Sequence, residues 1–136
     1  MTDPQPSQPT SDGSPDVDVG LVRNLLQHIP LGPSQTILIT RGAQLLAFRG
    51  ALKQVEALDV AVHVAHEWQE AGQTLRVQFM RLPLSPLSRL VLTYPLRDDY
   101  RLILIDSEDA APEPLRKVSN QLLGVLEVAG IGRKPL

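Results

Sequence analysis

Proline and glycine punctuate this chain so regularly that they divide it into short segments before any other property is considered. Pro30, Gly32 and Pro33 interrupt it early, Gly42 separates two short apolar runs, Gly72 follows a long stretch free of both residues, and Pro83, Pro86 and Pro95 mark later joints. Proline removes a backbone donor and fixes φ, while glycine supplies the positive φ of turns, so both belong at the ends of elements rather than inside them. The pieces left between them have the lengths of single helices and strands.

Taken in order, Ser14-Pro15-Asp16 offers an N-cap hydroxyl, a proline for the first helical position and an acid for the first turn. Val19, Val22, Leu25, Leu26 and Ile29 then recur at helical spacing. Thr36-Ile37-Leu38-Ile39-Thr40 and Gln44-Leu45-Leu46-Ala47-Phe48 flank Arg41-Gly42-Ala43 and read as a β-hairpin. From Leu52 to Ala71, rich in Ala, Leu, Glu and Gln, the sequence predicts a helix of about five turns closed by Gly72. Leu75 to Leu82 alternates, with Val77 and Phe79 on one side and Arg76, Gln78 and Met80 on the other, as a half-exposed strand does. Arg89 to Tyr94 and Tyr100 to Ile105 are two more strands, joined through Pro95-Leu96-Arg97-Asp98-Asp99. A last helix starts near Pro114, gathers Leu115, Val118, Leu122, Val125, Leu126 and Ala129 on one face, and ends at Gly130 and Gly132. The order αββαβββα predicts an α+β fold in which three helices cover one five-stranded antiparallel sheet.

With 136 residues, 43% of them apolar, the chain suits a single domain over 15–132. It has no cysteine, which removes disulfide and thiol chemistry. Residues 1–14 hold three prolines and no aliphatic side chain beyond Met1, so they read as a disordered, Pro-rich tail, and 133–136 as a short C-terminal one. The first eighteen residues carry four aspartates and no Lys or Arg. A net charge of −2 and 4% aromatics argue against a nucleic-acid groove. The apolar runs are too short to span a membrane, and the acidic N-terminus is unlike an export signal, so a cytoplasmic location is expected.

No catalytic constellation emerges. His63, His66 and Glu67 form H-x-x-H-E without the i, i+4 histidine pair or third ligand that a metal needs, so they read as a polar face and no metal is expected. Asp98 and Asp99 are neighbours in a turn and diverge, whereas an acid–base pair converges from separate elements. Neither a nucleophile elbow nor a phosphate-binding loop is present. The sequence therefore predicts no enzyme, no catalytic residue and no cofactor.

The middle helix is apolar over more than a surface helix requires. At 100° per residue, Val55, Leu58, Ala61, Val62, Ala65 and Trp68 make a sufficient sheet-facing stripe, and Ala57, Val60, Val64 and Ala71 extend it to a second flank. A second copy across a two-fold axis would cover that flank, with Ala57, Ala61 and Ala71 allowing close approach. The next strand has arginines only near its ends, at 76 and 81, and an uncharged centre, so it reads as an edge able to pair with its mate. The expected dimer interface is thus Ala57, Val60, Ala61, Val64 and Ala71 on the helix and Arg76, Val77, Gln78, Phe79 and Met80 on the strand.

This order of elements, with the hairpin turning at Arg41-Gly42, the long Ala-rich helix and the hairpin from Leu90 to Ile105, resembles the roadblock/dynein light-chain family over about residues 17–129. The profilin-like layout is similar. The resemblance implies a homodimer or heterodimer whose sheets join through the third strand, Arg76 to Leu82, with the long helices antiparallel on one face. It also implies a regulatory or scaffolding role with small Ras-like GTPases. Pro83-Leu84-Ser85-Pro86 and the acidic tail depart from the family's pattern. The alternative reading is a small-ligand sensor in which sheet and helices enclose a pocket.

Overall fold

The computed structural model describes residues 19–67, 76–81 and 88–131. Their elements run α1 (Val19–Leu26), β1 (Thr36–Arg41), β2 (Gln44–Gly50), α2 (Gln54–Glu67), β3 (Arg76–Arg81), β4 (Ser88–Pro95), β5 (Tyr100–Ser107) and α3 (Pro112–Val128). The five strands form one antiparallel sheet in the order β2-β1-β5-β4-β3, the α+β arrangement anticipated from the punctuation. The expected starting signal of the first helix at Ser14 lies outside the described residues.

Strand alternation divides the apolar side chains into two cores. Ile37 and Ile39, Leu102 and Leu104, and Leu90, Leu92 and Tyr94 pack with Val22 and Leu26 of α1 and with Leu115, Leu122 and Leu126 of α3. On the opposite face Leu38, Ile103, Ile105, Val91 and Met80 pack with Ala57, Val60 and Val64 of α2. Among the described residues, two helices therefore cover one face and one helix the other.

Local chemistry explains where the helices begin and end. Helix α2 starts at Gln54, two residues later than expected, because the Lys53 N–H donates to Glu56 Oε1 at 3.1 Å while the Lys53 carbonyl accepts from Ala57 N–H. This is the reciprocal half of a capping box, which makes Lys53 the cap and leaves Leu52 in the loop. Helix α3 starts with Pro112 at its first position rather than Pro114. It ends in a Schellman motif: Gly130 takes φ +95°, its N–H donates to the Glu127 carbonyl, and the Ile131 N–H donates to the Leu126 carbonyl. Leu126 and Ile131 both lie in the α1/α3 core, the apolar contact that accompanies this cap. Helix α1 is closed from outside itself, since Arg49 Nη1 on β2 donates to the carbonyls of Leu26 and Ile29.

Two tight connections hold the sheet's ends. Gly42 takes φ +58° in the β1–β2 turn, and its N–H donates to the Asp99 carbonyl in the β4–β5 turn. Arg101 Nη1 donates to the Gly42 carbonyl and Nη2 lies 3.4 Å from Asp99 Oδ1. Asp98 and Asp99 are both left-handed, at φ 57° and 67°. At the sheet's other end Asp106 is buried, accepting from Ser34 Oγ at 2.5 Å and from Ser107 N–H at 2.7 Å. That carboxylate anchors the loop between α1 and β1. No helix among the described residues is long and apolar enough to cross a membrane.

Candidate interaction surface

Helix α2 lies on the sheet rotated by about 100°, a little over a quarter turn, from the expected orientation. Ala57, Val60, Ala61 and Val64, anticipated as a dimer-facing flank, are buried against the chain's own sheet, with Val60 fully inaccessible. Val55, Leu58 and Val62, anticipated to face the sheet, are 54%, 44% and 56% exposed. The assignment of Ala57, Val60, Ala61 and Val64 to an interface between copies is therefore corrected: they are core. Ala71 lies outside the described residues.

The rotation has identifiable causes. Alanine and β-branched valine form a low ridge that lets the helix approach a twisted sheet closely, and the bulkier row at 55, 58 and 62 is left outward. Polar contacts at the far end fix the same rotation. Glu67 Oε1 accepts from Gln78 Nε2 at 3.1 Å, and the Glu67 carbonyl accepts from Arg76 Nη1 at 3.2 Å, which turns the acidic flank of α2 toward β3. His63 Nε2 lies 3.0 Å from Glu67 Oε2. The Glu67 carboxyl is held below its ordinary value chiefly by the Gln78 hydrogen bond; burial is the next influence and opposes it, and His63 and Arg76 add smaller contributions in the lowering direction.

Strand β3 occupies one edge of the sheet. Val77 pairs with Leu92 and Phe79 with Leu90, so both side chains point to the α1/α3 face. Unlike their partners they are open to solvent, Val77 at 44% and Phe79 at 63%. Arg76, Gln78 and Met80 alternate to the α2 face, where Met80 is buried and Gln78 half-buried. Arg76 and Arg81 are exposed at the two ends of the strand. At the opposite edge, β2 packs against α1 on one face and α2 on the other.

Among the described residues no cluster of three or more His, Asp or Glu side chains is arranged to hold a metal ion. The buried polar groups serve structure: Tyr94 Oη and Ser119 Oγ lie 2.6 Å apart, and Ser119 Oγ donates to the Arg116 carbonyl, tying α3 to β4. Nothing in the sequence marks Val55, Leu58 and Val62 as the outward row of α2, because both flanks of that helix are apolar. No protein-family model matches the sequence. No curated protein sequence matches it either.

Proposed function

We propose that this protein is a non-enzymatic interaction module that dimerises through β3 and serves as a scaffold or regulator for a small Ras-like GTPase. The observation that carries the self-association is the edge strand itself. Its centre, Val77-Gln78-Phe79, is uncharged, and its two apolar side chains are open to solvent on the outermost strand of the described sheet. An edge of this kind is a template for another strand unless charge, proline or a covering element blocks it, and here arginines stand only at the ends. Antiparallel pairing with a second copy would extend the sheet to ten strands and set Val77 and Phe79 against their mates. With Ala57, Val60, Ala61 and Val64 enclosed in the core, β3 carries the association.

The GTPase partner rests on the layout of elements that resembles the roadblock/dynein light-chain family, together with the lack of a catalytic constellation in the sequence. Sedimentation equilibrium of the wild type and Phe79→Lys tests the first part: the wild type should sediment as a dimer and the variant as a monomer with an unchanged circular dichroism spectrum. The second part is tested by titrating a nucleotide-loaded Ras-like GTPase against the wild type. Saturable binding that distinguishes the GTP-analogue form from the GDP form supports it, and indifference to the nucleotide contradicts it.

A further inference from the structure

His63 and Glu67 stand one turn apart on α2, with Nε2 and Oε2 3.0 Å from each other and both side chains open to solvent. Two donors bound to one zinc ion, each about 2.0 Å from it at a tetrahedral angle, are about 3.3 Å apart. The pair therefore already has nearly the spacing of two ligands on one metal ion. The other carboxylate oxygen, Oε1, accepts from Gln78 Nε2 at 3.1 Å, so the strand orients the carboxylate as an outer hydrogen bond does around a metal ligand. Glu56 and Asp59 precede the pair at helical spacing, and α2 carries no Lys or Arg to offset them, so the local potential suits a cation. One chain holds only half a site: among the described residues no three His, Asp or Glu side chains gather round one point.

A second copy supplies the other half. Directly opposed residues of antiparallel strands share a face, so setting Val77 against Phe79 of the second copy places Gln78 opposite Gln78 on the two-fold axis, with Cα atoms about 4.5–5.5 Å apart. That axis stands perpendicular to the sheet, so both α2 helices lie on one face and run antiparallel to each other. Each Glu67 is tied to its own Gln78, and the two carboxylates, each with a histidine beside it, approach the axis from opposite sides. We infer that the β3-paired dimer binds a divalent transition-metal ion, zinc by preference, on its two-fold axis through His63 Nε2 and Glu67 Oε2 of each copy. Two imidazoles and two carboxylates make a four-coordinate set that suits zinc, whereas magnesium demands an octahedron of oxygens. The inference rests on the pairing through β3, and it makes metal occupancy and association reinforce each other.

The test titrates the full chain, stripped of metal with EDTA and dialysed, with zinc chloride by calorimetry, while light scattering follows the mass. The wild type should take up one zinc per two chains with a micromolar or tighter Kd, and should stay dimeric at chain concentrations about tenfold lower with zinc than with EDTA. His63→Ala and Glu67→Ala should each weaken zinc binding by about tenfold or more and erase its effect on the mass, with an unchanged circular dichroism spectrum. His66→Ala should behave as the wild type, and magnesium chloride should not replace zinc. Cobalt(II) in place of zinc should give the intense visible absorption of tetrahedral coordination, absent in His63→Ala. A dimer that takes up no zinc would overturn the site and leave the pairing through β3 standing, whereas a monomer with and without zinc would overturn both. One zinc per chain that persists in Phe79→Lys, retention of binding in His63→Ala, or replacement by magnesium would each overturn the shared site.

Discussion

Gln78 on β3 donates a hydrogen bond to the Glu67 carboxylate at the end of α2, 3.1 Å away, and so ties that helix to the outermost strand of the sheet. Because the contact favours the ionised carboxylate, it lowers the Glu67 pKa from its ordinary 4.5. A depressed folded-state pKa contributes stability that is present above the unfolded value and is lost as pH falls through the folded one. Gln78→Ala should therefore move the Glu67 titration, followed by NMR, back toward its ordinary value. It should also leave the variant's stability closer to wild type at pH 3 than at pH 6, as read by urea midpoints.

The rotation of α2 makes an unequal pair of two valines only two residues apart. Val60→Asp places an unpaired carboxylate in the core and should cost more than about 4 kcal/mol or abolish folding. Val62→Asp, on the outward row, should change stability by no more than about 0.5 kcal/mol. Chemical denaturation of the two variants checks the order, and equal costs would contradict the orientation described for the helix.

Gly50 is the most tightly enclosed of the described glycines. It takes φ +139°, and a Cβ built there would lie 2.3 Å from the Gln35 carbonyl oxygen and 2.5 Å from the Thr36 Cα. Backbone atoms cannot swing aside as a flexible side chain can. Gly50→Ala should cost about 3 kcal/mol or more, whereas Gly124→Ala, in the interior of α3 with nothing within 4 Å of its added methyl, should stabilise by up to about 1 kcal/mol. Thermal unfolding of both variants measures the contrast.

Tyr94 and Ser119 form a chain of hydroxyls in which Ser119 donates onward to the Arg116 carbonyl. Ser119→Ala leaves the buried Tyr94 hydroxyl without that acceptor and should cost about 1–3 kcal/mol. Tyr94→Phe leaves the serine still bonded and should cost only about 1 kcal/mol. The double variant should cost less than the two singles together. Thr93 is the opposite case, since its buried Oγ1 has no hydrogen-bond partner among the described residues. Thr93→Val keeps the shape and removes the hydroxyl, so it should be neutral or stabilising by up to about 1 kcal/mol.

The fold was legible because proline and glycine mark element ends and because β1, β4 and β5 carry strong apolar runs that only a sheet covered on both faces can bury. The edge position of β3 was legible for a related reason: Arg76, Gln78 and Arg81 break its apolar run, as they do not in β5. The rotation of α2 was not legible. Its hydrophobicity is spread over both flanks, and the deciding contacts join residues distant in sequence, such as Glu67 with Gln78. Residue bulk favours Leu58 and Val62 as core, whereas close packing on a twisted sheet selects Ala57, Val60, Ala61 and Val64. The cap at Lys53 was missed because a lysine offers no side-chain acceptor, and Glu56 does the work from three residues away.

The absence of cysteine allows one labelled position to test the central claim, that β3 pairs with β3 of a second copy. A spin label at Val77→Cys, on an exposed side chain, is measured by pulsed dipolar spectroscopy at tens of micromolar protein. Paired edge strands of six residues each keep the two labels within about 30 Å, allowing for strand length, spacing and linkers. A narrow distance distribution below that limit, lost when Phe79→Lys is added, is the expected result. No dipolar modulation at a concentration where the mass is twice 14.9 kDa would place the interface elsewhere. A mass that stays at 14.9 kDa would contradict self-association altogether.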